Sequence, residues 1–248
     1  MNKSRLQPIE AAKRFIEEKF PNCQAALLAG SVVRGEDTAT SDLDIVIFDE
    51  KVNSAYRESF IKYDWPIEVF VHNFTSYKVF FKQDCEGARP SLPRMVSEGL
   101  VIIDSEVVSA IKEEANELLK KGPEIWSMEM LDMKRYMITD ALDDLMGSTN
   151  HAEDLFIANS LAEAIHEFVL RTNGQWIGAS KWVVRALNQY DEEFTQRFVQ
   201  AFDIFYKTGG KDEIIGLADE ILEPYGGRLF EGFSAGKKGL RKGGNHVN

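Results

Sequence analysis

Ahead of about Val107 the apolar residues of this chain gather into short unbroken runs, and beyond it they recur at helical spacing. The first part therefore predicts strands with helices between them, and the second part helices alone. Ile9, Ala12, Ile16 and Phe20, separated by Glu10, Lys13, Arg14 and Glu17, read as an amphipathic helix that Pro21-Asn22 ends. Ala25 to Ala29 is continuously apolar and stops at Gly30, as a short buried strand does. Residues 31–41 have neither period and read as a tight turn, one helical turn and a loop. Leu43 to Phe48 is β-branched and aromatic and predicts the next strand. Asp49 to Asp64 is polar and reads equally as a helix or an edge strand. After Trp65-Pro66 a third strand spans 67–72, Thr75 to Lys82 and Leu92 to Glu98 read as helices, and residues 100–103 make a fourth strand.

Four strands with helices between and around them imply a small mixed sheet. Val107 to Lys121 predicts a helix closed by Gly122-Pro123, which marks a linker. Downstream, apolar faces follow one another at Ile138, Ala141, Leu142 and Leu145, then Leu161, Ala162, Ile165, Phe168 and Val169, then Trp182, Val183, Ala186 and Leu187. Phe194, Phe198, Phe202 and Phe205 form another, and Ile214, Leu217, Ala218 and Ile221 the last. These predict an antiparallel helical bundle whose aromatic stripes are core. The expected class is α+β, with a sheet-containing domain over 1–122, a helical bundle over 123–234 and a disordered basic tail over 235–248.

With 40 acidic against 29 basic residues the net charge is −11, which argues against a protein that coats nucleic acid. An acidic surface can attract a cationic partner. Cys23 and Cys85 have neither CxxC spacing nor a nearby histidine pair, so no zinc site or disulfide framework is expected. No apolar run approaches the ~18 residues of a membrane span, and the charged start does not read as a signal peptide. The expected compartment is the cytoplasm.

The chemistry concentrates between Leu27 and Phe48. On a strand Asp42 and Asp44 point to one face while Leu43, Ile45 and Ile47 point to the other. Two like charges on one face need a compensating group, and magnesium suits a few carboxylates facing a phosphate. Glu68, between Ile67 and Val69, offers a third carboxylate and implies a polar cleft on that face. Gly30 lets backbone approach a phosphate closely, Ser31 adds a hydroxyl and an N–H at a helix start, and Arg34 can neutralise charge.

The stretch AGSVVRGEDTATSDLDIVI resembles the defining motif of the nucleotidyltransferase superfamily, which includes DNA polymerase beta and the small-molecule antibiotic nucleotidyltransferases. Gly30-Ser31, a ten-residue spacer and then Asp42, Leu43, Asp44 and Ile45 carry the resemblance, with Glu68 as the third acid. The layout of a sheet half followed by a helical half resembles the kanamycin-type aminoglycoside and lincosamide enzymes. What this resemblance implies is that Asp42, Asp44 and Glu68 hold two magnesium ions, with Gly30, Ser31 and Arg34 on a nucleoside triphosphate. It further implies transfer of a nucleoside monophosphate, AMP from ATP, to a hydroxyl of a small and cationic acceptor, with pyrophosphate released. The kanamycin-type layout adds a general base from the helical half, for which Asp140 is the first choice and Asp144 the second, beside Asp143 and Tyr136. It also suggests Lys181 as a phosphate contact, and a homodimer. A protein or RNA acceptor, or a non-catalytic nucleotide-binding or antitoxin-like module, are the alternatives. His72, His151, His166 and His246 show no ligand spacing and read as structural or surface residues.

Overall fold

A five-stranded mixed sheet with helices on both faces forms the first part of the protein, and a set of helices forms the second. The computed structural model describes residues 5–236. The chain divides into two units, one running to Glu124 and the other starting at Ile125. The last residues of the expected basic tail, 237–248, lie outside the described residues, as does His246.

In the first unit α1 (Pro8–Lys19) precedes β1 (Ala25–Ala29), and a single turn, α2 (Ser31–Arg34), separates β1 from β2 (Leu43–Phe48). The chain then makes a hairpin, β3 (Tyr56–Lys62) and β4 (Trp65–His72), followed by α3 (Ser76–Glu86), α4 (Ser91–Glu98), β5 (Leu100–Asp104) and α5 (Val108–Lys121). The strand order is β3-β4-β2-β1-β5. Only β2 and β4 run parallel, with Asp44 opposite Glu68, and the other neighbours are antiparallel.

The alternation of β2 and β4 divides their side chains between two cores. Leu43, Ile45, Ile47, Ile67, Val69 and Val71 pack with Ala11, Ala12, Phe15 and Ile16 of α1. Val46 and Phe48 pack on the other side with Tyr77, Phe81, Val96 and Ile111 from α3, α4 and α5. Ala12 and Ile16 of the expected helix face are fully buried, whereas Ile9 in the first turn is 45% exposed and Ala11 and Phe15 complete the buried face instead.

The segment 49–64 resolves into the edge strand β3, so the sheet has five strands rather than the four read from the sequence. A two-residue turn joins β3 to β4, with Lys62 opposite Trp65 and Tyr63 and Asp64 both left-handed at φ 55° and 63°. Asn-Gly or Asp-Gly is the usual signal for such a turn, and neither is present. Glu18 of α1 binds this turn, accepting from Lys62 and, at 3.1 Å, from the Tyr63 hydroxyl.

The second unit contains α6 (Met128–Gly147), α7 (His151–Thr172), α8 (Trp182–Tyr190), α9 (Glu192–Thr208) and α10 (Asp212–Leu222). Ser127, Asn150 and Asp191 cap α6, α7 and α9 by accepting from backbone N–H groups in the first turn. Phe194, Phe198, Phe202 and Phe205 are buried, so the aromatic stripe of α9 is core. Lys211 donates to the Leu145 and Ser148 carbonyls at 2.7 and 2.9 Å and pairs with Asp154 at 2.8 Å. A cation at the C-terminal end of α6 is favoured there by the helix dipole. After α10 an irregular strap returns to α6: Arg135 donates to the Gly227 carbonyl, Leu229 N–H to the Thr139 hydroxyl, and Phe233 stacks on Tyr136 at 4.1 Å. No helix among the described residues is long and apolar enough to cross a membrane.

Candidate active site

The end of β1 fixes the first component. Gly30 has φ 80° and ψ −160°, a conformation that residues with a Cβ rarely adopt. A Cβ there would lie 2.1 Å from Oδ2 of Asp44, so the glycine makes room for that carboxylate as well as for the turn. Ser31 to Arg34 follow as one helical turn, closed by Gly35 in the left-handed region at φ 69°.

The second component is the acidic face of the parallel pair. Asp44 shares a row of β2 with Val46 and Phe48, but those two are fully covered while Asp44 is only half-buried. The β2–β4 register places Glu68 directly beside it. Asp42, Asp44 and Glu68 each offer a carboxylate oxygen within 4.8 Å of the others. This proximity perturbs Asp44: burial, then the charges of Asp42 and Glu68, push its carboxyl from an ordinary 3.8 up to about 6, against opposing pulls from Arg57 and Arg34. Three clustered, half-buried carboxylates with a glycine cradle are a hard-oxygen donor set, which fits a divalent cation such as magnesium.

The loop that carries Asp42 is fastened from several sides. The Ser31 hydroxyl donates to Ser41 Oγ at 3.2 Å, and that oxygen also accepts the Thr38 N–H at 2.8 Å. Arg5 donates to the carbonyls of Ser41 and Ala39 at 2.7 and 3.2 Å while lying 3.2 Å over the Trp65 ring. Neither Arg5 nor Ser41 stood out in the sequence, because their parts are played through backbone carbonyls and a shared hydroxyl. Arg57 of β3 was missed as well; it pairs with Glu68 and lies 4.9 Å over the Phe70 ring.

Arg34 bonds Glu36 at 3.2 Å and Glu98 at 3.0 Å. It belongs to the same neighbourhood, since its charge is felt by Asp44. In the second unit Asp140 is exposed on α6, and its carboxylate has no hydrogen bond or ion pair among the described residues. Asp143 lies 3.7 Å from Arg228, and Tyr136 is occupied by the Phe233 stack. Lys181 is exposed and stands at the residue before α8.

Residues 9–103 match the nucleotidyltransferase domain family. The match spans the sheet from α1 into β5 and includes Gly30, Ser31, Asp42, Asp44 and Glu68, and it leaves the helical unit outside. The match suggests nucleotidyl transfer as a general reaction class for the first unit, and domains of that family typically use divalent metals. Among solved structures the chain is similar to a nucleotidyltransferase-like protein from Exiguobacterium sibiricum 255-15, at 13% identity and a TM-score of 0.44, over 87% of this chain and 75% of that one. No curated protein matches the chain.

Proposed function

We propose that this protein is a magnesium-dependent nucleotidyltransferase that moves a nucleoside monophosphate, AMP from ATP, to a hydroxyl of a small cationic molecule. The observation that carries the reading is the convergence of Asp42, Asp44 and Glu68 within 4.8 Å, beside a glycine that only just clears the Asp44 carboxylate.

In this reading Asp42, Asp44 and Glu68 hold two magnesium ions. Bound there, the ions supply charge neutralisation on the triphosphate and acidify the acceptor hydroxyl. The Gly30-Ser31 turn binds phosphate oxygens: the first N–H groups of α2 have no acceptor within the helix, and the Ser31 hydroxyl can leave Ser41 for an anion. Arg34 adds positive charge after exchanging Glu36 or Glu98 for a phosphate oxygen. Asp140 as the general base and Lys181 as a phosphate contact remain the candidates from the helical half in this proposal. The hydroxyl oxygen forms a bond to the α-phosphorus, the bond to the bridging oxygen breaks, and pyrophosphate leaves. The chain contributes chiefly by positioning and fixed charge.

The domain assignment over 1–122 and 123–234, the cytoplasmic location and a homodimer belong to the same proposal. The net charge of −11 supports a cationic acceptor of the aminoglycoside type. The test is a panel of nucleoside triphosphates against amino-sugar and other hydroxyl compounds, read as pyrophosphate released with magnesium. ATP with an amino-sugar acceptor is the expected pair. Pyrophosphate release that needs no magnesium, or that persists undiminished in Asp42→Asn with Asp44→Asn, would contradict the mechanism.

A further inference from the structure

The three carboxylates share one ion pair among the described residues, that of Glu68 with Arg57. It comes from the edge strand that the sequence left undecided. In the β3–β4 register Arg57 stands opposite Phe70 and Ser59 opposite Glu68, so the Arg57 side chain emerges on the acidic face, one step along the strand from Glu68. Its guanidinium lies over the Phe70 ring, 4.9 Å from the centroid, while donating to Glu68 Oε2. With the Arg57 side chain 57% exposed, such a pair contributes little to stability. Its electrostatic effect on the site is larger, because it places a fixed positive charge on a carboxylate that a divalent cation also needs.

We propose that Arg57 is the resident counter-cation of the acidic site. It neutralises Glu68 when no divalent cation is bound and competes with the cation for that carboxylate. The inference rests on the reading of Asp42, Asp44 and Glu68 as a cation site. It makes the affinity for free metal a quantity set by β3 as well as by the three acids.

The test is titration of the full chain with Mn2+ alone at low ionic strength, with free Mn2+ read by electron paramagnetic resonance. Arg57→Gln binds Mn2+ about tenfold more tightly, the scale expected when one unit charge is removed beside a divalent ion in a solvent-exposed site. Arg57→Lys keeps the charge and stays within about twofold of the unmodified chain. Lys62→Gln is the control: it makes the same change in net charge on the same strand, but its side chain pairs with Glu18 of α1. Its affinity is unchanged. High salt shrinks the gain in Arg57→Gln. Unchanged or weaker Mn2+ binding in Arg57→Gln overturns the proposal, and so does equal tightening in Lys62→Gln. Failure of both the unmodified chain and Arg57→Gln to bind Mn2+ defeats the cation site itself, and the role of Arg57 with it.

Discussion

Replacing Asp44 with asparagine should make the metal-free sheet unit more stable at neutral and alkaline pH while removing its response to magnesium. The amide has nearly the shape of the carboxylate, so the Gly30 cradle is preserved, and among the described residues the Asp44 carboxylate makes no hydrogen bond that the change would break. The folded protein holds the Asp44 carboxyl at about 6 against an ordinary 3.8. At 1.36 kcal/mol per pKa unit, keeping that group ionised costs about 3 kcal/mol, which partial solvent exposure reduces to about 2–3 kcal/mol. A raised folded pKa means that the contribution to stability is fully present below the unfolded value and is lost as pH rises through about 6. Asp44→Asn should therefore match the unmodified chain below about pH 4 and exceed it by about 2–3 kcal/mol near pH 8. Because the chain has two units, a global unfolding curve would mix them. Hydrogen exchange in peptides covering β2 and β4, measured across a urea series, isolates the first. Saturating magnesium should reverse the order, protecting the unmodified chain and leaving Asp44→Asn almost unaffected. A variant less stable than the unmodified chain near pH 8 without metal, or a gap that does not change with pH, would refute this reasoning.

Gly30→Ala introduces a Cβ 2.1 Å from Asp44 Oδ2 at φ 80° and ψ −160°, so it should cost about 1–3 kcal/mol from the backbone alone. Part of the remaining loss should be recovered in Gly30→Ala with Asp44→Ala, and a strictly additive double-mutant cycle in urea would count against the clash. His72 is 3% exposed and its Nδ1 has no hydrogen-bond partner among the described residues, and burial pulls its pKa from 6.5 down to about 4. A lowered folded pKa means stability is present above 6.5 and lost as pH falls through about 4, so His72→Phe should gain about 3 kcal/mol on the unmodified chain across that window. A gap of constant size from pH to pH would show that His72 is not held neutral. Asp140→Asn should lower kcat by about 10²–10⁴-fold with little change in triphosphate binding, as loss of a general base does. Retained turnover in that variant would move the base elsewhere, with Asp144 the next to test.

What could be read from the sequence depended on how completely each element is buried. β1 and β2 lie between two helical layers, so they appear as unbroken apolar runs and their limits were legible to the residue. β3 packs against the core mainly through Phe60 and leaves Tyr56 to Ser59 exposed, so it carries no clean alternation. Its turn, Tyr63-Asp64, adopts left-handed φ without the glycine that normally announces one. Losing β3 meant losing Arg57. Glu68 was legible because an acid inside IEVFV is costly unless that face of the strand opens on a polar cleft, and Gly30 because it ends an apolar run. Arg5 acts through the carbonyls of Ala39 and Ser41, which leaves no side-chain pattern to find. The strap that returns to α6 is held by Arg135, Thr139 and the Tyr136–Phe233 stack, contacts with no periodicity in the chain.

In the proposed mechanism Asp42, Asp44 and Glu68 form a divalent-cation site serving a triphosphate bound at Gly30-Ser31. Its most direct test is a crystal structure with Mn2+ and a non-hydrolysable ATP analogue, with the ions located by anomalous scattering. Two anomalous peaks are expected against the three carboxylates, with the triphosphate against the Gly30-Ser31 turn. A bound analogue whose phosphates and ions lie away from those carboxylates would contradict that mechanism.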